Sequence, residues 1–317
     1  MSVTLFVVYS CCVLFLVNPA WAITRRHYIA AVEELWDYAP GGGDKTVYNG
    51  SDPMAQDSDW RTFLESGPDR IGRRYKKAMY REYTDDTFTT PKSRDDQPWL
   101  GFLGPIIAGE RDDVILITFK NLASRSYSMH PHGVQYAKDS EGALYQDGTS
   151  GANKADDQVP PGQQHVYMWN VTSDAAPTDD DADCLTWVYH SHVNTVRDTN
   201  SGLIGILLTC KPGMLTIASE RYTQFALLLN VMDENKSWYL DDNINDYCTD
   251  PGSVDKDDEG FQESNLMHGI NGRVFGHLDG LEACVGSTVL WHLVGFGTEV
   301  DTHSLSISGH SFLASQH

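Results

Sequence analysis

The chain has 317 residues, with 44 Asp and Glu against 23 Lys and Arg, a formal net charge of −21, and 41% hydrophobic residues. So acidic a chain argues against nucleic acid or an anionic membrane as partner and for a soluble extracellular protein. Its length allows roughly one to three domains, any of which buries a sizeable core.

Residues 1–22 read as a secretory signal. A mixed start leads into the apolar run Cys11 to Val17, and Ala20-Trp21-Ala22 offers a small-x-small cleavage site. That run is too short to span a bilayer, and the longest later candidate, Phe225 to Val231, is strand-sized. A secreted product keeps Cys184, Cys210, Cys248 and Cys284 in a compartment that oxidises thiols. Asn49-Gly-Ser, Asn170-Val-Thr and Asn235-Lys-Ser are glycosylation sequons that fit the same route.

Helix signals are sparse. Ile29 to Tyr38 has helical spacing but also suits an extended first strand. Elsewhere, short β-branched and aromatic runs alternate with Gly, Pro, Asn and Asp clusters. Val114 to Phe119 is one run, and Val166 to Val171 follows Pro160-Pro161-Gly162 as a second. Thr186 to Tyr189 and Leu203 to Thr209 are further runs. Strands at this spacing predict a β-sandwich or barrel.

An order of glycine pair, strand, turn and histidine occurs twice. Gly104 to Gly109, Val114 to Phe119 and His130 form one copy; Gly272 to Gly276, Thr288 to Val294 and His303 form the other. Phe225 to Val231 is the first strand of the second copy. A repeat this large predicts tandem domains, 23–212 and 213–317, with the boundary near Lys211-Pro212-Gly213. The second copy has no counterpart of the later Trp-Val-Tyr-His segment, so we expect it to be truncated.

The chemistry lies in two His-x-His motifs, His130-Pro131-His132-Gly133 and His190-Ser191-His192. Residues i and i+2 of a strand point the same way, about 6.5–7 Å apart, so each motif presents two imidazoles to one side. Four converging imidazoles suit copper, zinc, nickel or iron. Pro131 lacks a backbone donor and predicts a strand edge or loop, open to an entering metal. His27, His165, His268, His277 and His292 have no partner at metal spacing and read as structural or surface residues. Asp179-Asp180-Asp181 reads as a solvated loop.

These residues carry a family resemblance. Gly104-Pro-Ile-Ile-Ala-Gly109, His130 to Gly133, Val188-Tyr-His-Ser-His192 and Gly202-Leu-Ile-Gly205 resemble the first cupredoxin domain of multicopper oxidases. Tyr136 to Tyr145, Ala155-Asp-Asp157, Val231 to Asp242 and Phe261-Gln-Glu-Ser264 are similar to the ceruloplasmin and hephaestin ferroxidase branch. The resemblance implies an all-β fold of tandem plastocyanin-like Greek-key β-sandwiches. It implies a trinuclear copper cluster, with His130 on the type 2 ion and His132, His190 and His192 on the type 3 pair. The other ligands would come from carboxy-terminal cupredoxin domains. The implied substrates are Fe(II) and O2. His303 matches a first blue-copper ligand, but no mature cysteine is followed by a suitably spaced His, so we expect that site to be incomplete or vestigial. Lys138, through its carbonyl, with Asn153, Asp156 and Asp157 matches the branch's calcium positions, and oxygen donors suit that hard cation. Asn153 stands where the branch has Gln. The resemblance also implies a Cys184–Cys210 disulfide and pairs Cys284 with a later cysteine of the family, which leaves it free here; Cys248 reads as a free buried thiol, with a Cys248–Cys284 bridge as the alternative.

Two other classes compete. The A domains of two blood-coagulation cofactors share this pattern and act as extracellular binding scaffolds, but all four histidines are intact here. A zinc enzyme would need a carboxylate general base beside the metal, and none adjoins either motif.

Overall fold

The computed structural model describes residues 22–45, 60–296 and 302–314. The expected signal segment, Ala22 apart, and Asn49 lie outside them. In chain order the described strands are β1 (Thr24–Asp37), β2 (Arg74–Tyr83), β3 (Ile107–Glu110), β4 (Val114–Asn121), β5 (His130–Pro131), β6 (Gln135–Tyr136), β7 (Gln164–Asn170), β8 (Cys184–His190), β9 (Ile204–Cys210), β10 (Tyr222–Asp233), β11 (Leu266–Ile270) and β12 (Thr288–Gly295). Between them lie short helices, α1 (Trp60–Leu64), α2 (Thr195–Ser201), α3 (Met214–Arg221), α4 (Leu240–Tyr247) and α5 (Glu259–Ser264). The fold is all-β in character, as expected, with only short helices between the strands.

A five-stranded sheet, β2-β1-β4-β7-β6, faces a four-stranded sheet, β3-β9-β8-β5. Strand β4 shows why. Ile115, Ile117, Phe119 and Asn121 are buried, while Val114, Leu116, Thr118 and Lys120 are half-buried on the other face. The inward residues join Ile29, Tyr80, Tyr167, Trp169, Tyr189 and Leu207 in one core. The helical spacing of Ile29 to Tyr38 gives way to strand: β1 pairs along one edge with β2 and along the other with β4. Burial of Ile29, Ala30 and Ala31 in succession erases a period-two signal there.

A third sheet, β11-β10-β12, repeats part of the first. β1 runs antiparallel to β2 and parallel to β4; β10 runs antiparallel to β11 and parallel to β12. The pairing recurs where the sequence motif recurs.

Strand β9 is buried at every position. One face looks into the sandwich through Leu207, while Ile204, Ile206 and Leu208 pack with Phe225, Ala226 and Leu228 of β10. The four-stranded sheet is therefore covered on both sides, which explains its continuous apolar run. Trp99 meets Phe225 edge-on at 5.5 Å, and Trp36 Nε1 donates to the Gly272 carbonyl at 2.7 Å. A buried ion pair, Lys77–Glu234, crosses the same junction.

At this junction His292 of β12 accepts from the Thr186 hydroxyl of β8 at 3.1 Å and donates to Gln224 Oε1 at 3.2 Å. Both bonds use the neutral ring, and burial pushes the imidazole down to about 4. Below the free imidazole value of about 6.5 the unfolded chain binds a proton that the folded chain refuses, so stability falls as pH drops from there to 4. The gap corresponds to roughly 3 kcal/mol. His292→Gln should flatten part of the acid dependence of unfolding between those pH values, measured by denaturant titration at each pH.

Candidate metal centre

The two His-x-His motifs meet because β5 pairs antiparallel with β8, His130 opposite His190 and Pro131 opposite Tyr189. His132 N then donates to the Val188 carbonyl at 2.9 Å. Gly133 takes φ +73°, and a Cβ there would overlap the Trp187 ring, so glycine lets the chain turn away against that indole. Tyr189 packs in the sandwich core and Val188 against the third sheet. Alternation thus aims His190 out of the sandwich, and its ring lies 5.6 Å from that of Phe296.

All four imidazoles converge. Ring centroids lie 5.2 Å apart for His130–His132, 5.6 Å for His130–His190, 5.0 Å for His130–His192, 5.2 Å for His132–His190 and 5.7 Å for His190–His192. Nitrogens meet in one pair only, His132 Nε2 and His190 Nε2, 3.1 Å apart. Among the described residues no group of three or more His, Cys, Asp and Glu side chains is closed enough to hold a metal ion by itself. The rings gather, but as an open cluster and not as a cage.

Their chemistry nonetheless fits a metal. His130 Nδ1 donates to the Glu141 carbonyl at 2.7 Å, and His190 Nδ1 to the Ser191 carbonyl at 2.9 Å. A carbonyl only accepts, so both rings carry the Nδ1 proton and turn a bare Nε2 into the cluster. Such an outer hydrogen bond is what fixes a metal-binding imidazole. Burial pushes His130 and His132 below the ordinary histidine value, and His190 down to about 3; neighbouring imidazoles add to it. Lowered values favour the neutral form of His130, His132 and His190 at physiological pH, the form that ligates.

The acidic positions gather on the loop behind His130. Asp156 and Asp157 are buried, whereas Asn153 is exposed on a 3-10 turn. Lys138 Nζ lies 2.7 Å from Glu141, 2.8 Å from Asp147 and 3.4 Å from Asp157. Lys154 Nζ lies 2.6 Å from Asp157 and 3.1 Å from Asp147. Sequence reading missed Glu141, Asp147 and Lys154; the Lys154–Asp157 spacing of three was the available signal. Asp156 Oδ2 accepts from Gly142 N at 2.8 Å, while its buried Oδ1 has no hydrogen-bond partner. The ammonium groups of Lys138 and Lys154 offset these carboxylates.

His303 stands apart from the cluster, exposed at the rim of a groove of about 440 Å³ that His268 and Arg273 also line. Cys184 and Cys210 form a disulfide between the first residue of β8 and the last of β9. Cys248 is free and buried, Cys284 free and exposed. Asn170 closes β7, with its amide 3.4 Å from the Gln135 carbonyl. Asn235 Nδ2 donates to Asp233 Oδ1 and the Gln262 carbonyl, both at 2.9 Å, so a glycan there would displace one bond.

Residues 100–212, which span both His-x-His motifs, match the model of the multicopper oxidase family. The chain is 52% identical to mouse Ferroxidase HEPHL1 over 93% of its own length and 26% of that protein. It is 49% identical to mouse hephaestin over 94% of its length and 27% of that protein. It is 46% identical to human ceruloplasmin over 92% of its length and 27% of that protein. The chain therefore spans about a quarter of the length of these relatives.

One backbone position tests the support of His130. Gly142 follows the carbonyl that holds it, at φ +67°, and a Cβ would lie 2.1 Å from the Met129 carbonyl oxygen. Gly142→Ala should cost about 2 kcal/mol or more by denaturant midpoint. It should also release the His130 Nδ1 proton to faster exchange in histidine ring spectra.

Proposed function

We propose, from the match of residues 100–212 to the multicopper oxidase family model, that the chain supplies the amino-terminal ligands of a trinuclear copper cluster in a secreted ferroxidase. The observation that carries this reading is the outer hydrogen bonding of His130 and His190, which leaves their Nε2 atoms bare toward the cluster. His130 would hold the type 2 ion, and His132, His190 and His192 the type 3 pair. When bound, the copper ions supply one-electron redox chemistry, with Fe(II) as reductant and O2 as terminal acceptor. The protein's part is to hold four imidazoles against one another, fix the proton of two of them on Nδ1, and cover His190 with Phe296.

The ring cluster is open where a trinuclear site needs further ligands, so we assign the remainder to carboxy-terminal cupredoxin domains. We read residues 23–212 as one cupredoxin domain and 213–317 as part of a second. We further propose calcium at Lys138, Asn153, Asp156 and Asp157. The buried, unpartnered Asp156 Oδ1 supports it, and the ion would displace the Lys138 and Lys154 ammonium groups from Asp157. Among the described residues no helix is long and apolar enough to cross a membrane.

Copper titration of the chain tests the site. His132→Ala with His190→Ala should abolish tight copper binding, while His303→Ala should leave it intact. The chain alone should not sustain Fe(II) oxidation. Steady turnover by the copper-loaded chain would overturn the split-site reading, and wild-type copper binding unaffected by the double substitution would overturn the ligand assignment.

A further inference from the structure

The two motifs are tied together behind the imidazoles by a polar network that ends on one carboxylate. Ser191, between His190 and His192, donates its hydroxyl to Asp198 Oδ2 at 2.7 Å. The same hydroxyl accepts from Ser128 N at 3.1 Å, two residues before His130. Ser128 Oγ in turn accepts from His192 N at 3.0 Å and donates to the Gly142 carbonyl at 2.5 Å. Asp198 Oδ2 also accepts from Val193 N and Asn194 N, each at 3.0 Å, so it grips the backbone on the far side of His192.

Its other oxygen reaches outside the sandwich. Asp198 Oδ1 accepts from Trp238 Nε1 at 2.8 Å. Trp238 belongs to the segment after β10, and its backbone N donates to Ser201 Oγ at 2.9 Å. The guanidinium groups of Arg197 and Arg125 lie 4.5 and 4.8 Å from its ring centre. Asp198 is fully buried and takes four donors with no paired cation. A buried carboxylate is costly unless its hydrogen bonds are met. Each of these donors therefore depends on the others being in place.

We propose that Asp198 is a positioning residue for the copper ligands, fixing His190 and His192 through Ser191 and Val193 and coupling their geometry to Trp238 in the turn that follows β10. The proposal rests on the copper reading above for its consequence, but the positioning itself is a property of the metal-free chain. Metal-site residues acting through such outer bonds change affinity by roughly 10–100-fold.

The full chain is compared with Trp238→Phe, which keeps the ring and loses only its donor, and with Ser191→Ala and Asp198→Ala. Three quantities are read: histidine ring nitrogen spectra without metal, Cu(II) affinity by chelator competition, and the thermal midpoint. The expected result is that Trp238→Phe stays folded, shifts the His190 and His192 ring resonances, and weakens Cu(II) binding about tenfold. Ser191→Ala should do the same more strongly. Unshifted ring resonances in folded Trp238→Phe and Ser191→Ala, with only the thermal midpoint lowered, would overturn the proposal by making Asp198 merely structural. If the wild-type chain takes up no Cu(II), the copper reading fails alone, and the ring spectra still decide the role of Asp198. Should Asp198→Ala not fold, the other two variants carry the decision.

Discussion

The imidazole cluster depends on a pairing only two residues long, His130 opposite His190 and Pro131 opposite Tyr189. Residues directly opposed across antiparallel strands sit about 4.5–5.5 Å apart, close enough for rings to meet. A slip of one residue would turn a strand's side chains to the other face. So short a pairing cannot hold its own register. The register is held from outside, by the long β8–β9 ladder ending in the Cys184–Cys210 bridge and by the two serines, Ser128 and Ser191, that bond across behind the rings. The spacing of the four rings comes from residues outside the cluster.

The same sheet explains why the third sheet matters to the site. Because β9 is buried on both faces, removing β10 and its neighbours would expose Ile204, Ile206 and Leu208 to water. The junction also buries the ion pair of Lys77 and Glu234, to which Tyr38 donates at 2.5 Å. Burial pushes Lys77 down and Glu234 up from their ordinary values, and each opposes that shift in the other. Breaking such a pair from one side costs about 3–5 kcal/mol. The amino-terminal sandwich and the sheet that follows it are thus joined by apolar burial and by a charge pair that neither side satisfies alone.

Much of this was legible in the sequence. The runs at Val114, Val166, Thr186, Leu203, Phe225 and Thr288 all became strands; β4 and β7 show period-two burial, whereas β9 and the middle of β10 are continuous apolar runs covered on both faces. The repeat was readable because the parallel pairing of β1 with β4 recurs in β10 with β12. Strand β1 was ambiguous because neighbours on both edges and a core beneath it bury consecutive residues. The cluster's histidines announced themselves by spacing. Asp198, Trp238, Asp147 and Lys154 did not, since a residue that works by orienting another carries no local pattern. Asp198 and Trp238 are 40 positions apart and meet only in the folded chain.

The cross-strand disulfide has a consequence for maturation. Cys184 and Cys210 are 26 positions apart, and the ring they close contains His190, His192 and Asp198. Restricting the unfolded chain over a loop of that size contributes roughly 3–4 kcal/mol. Closure also holds the far ends of β8 and β9 together, and so the ladder whose other end presents His190. Reduction does the reverse: it opens the tether and frees two thiols, and thiolates are softer ligands than imidazole and prefer copper(I). On the proposed copper reading, a chain that meets copper before it is oxidised has thiolate sulfur competing for the ion, whereas one oxidised first does not. If copper is the ligand, the bridge favours one order of events, oxidation before metal.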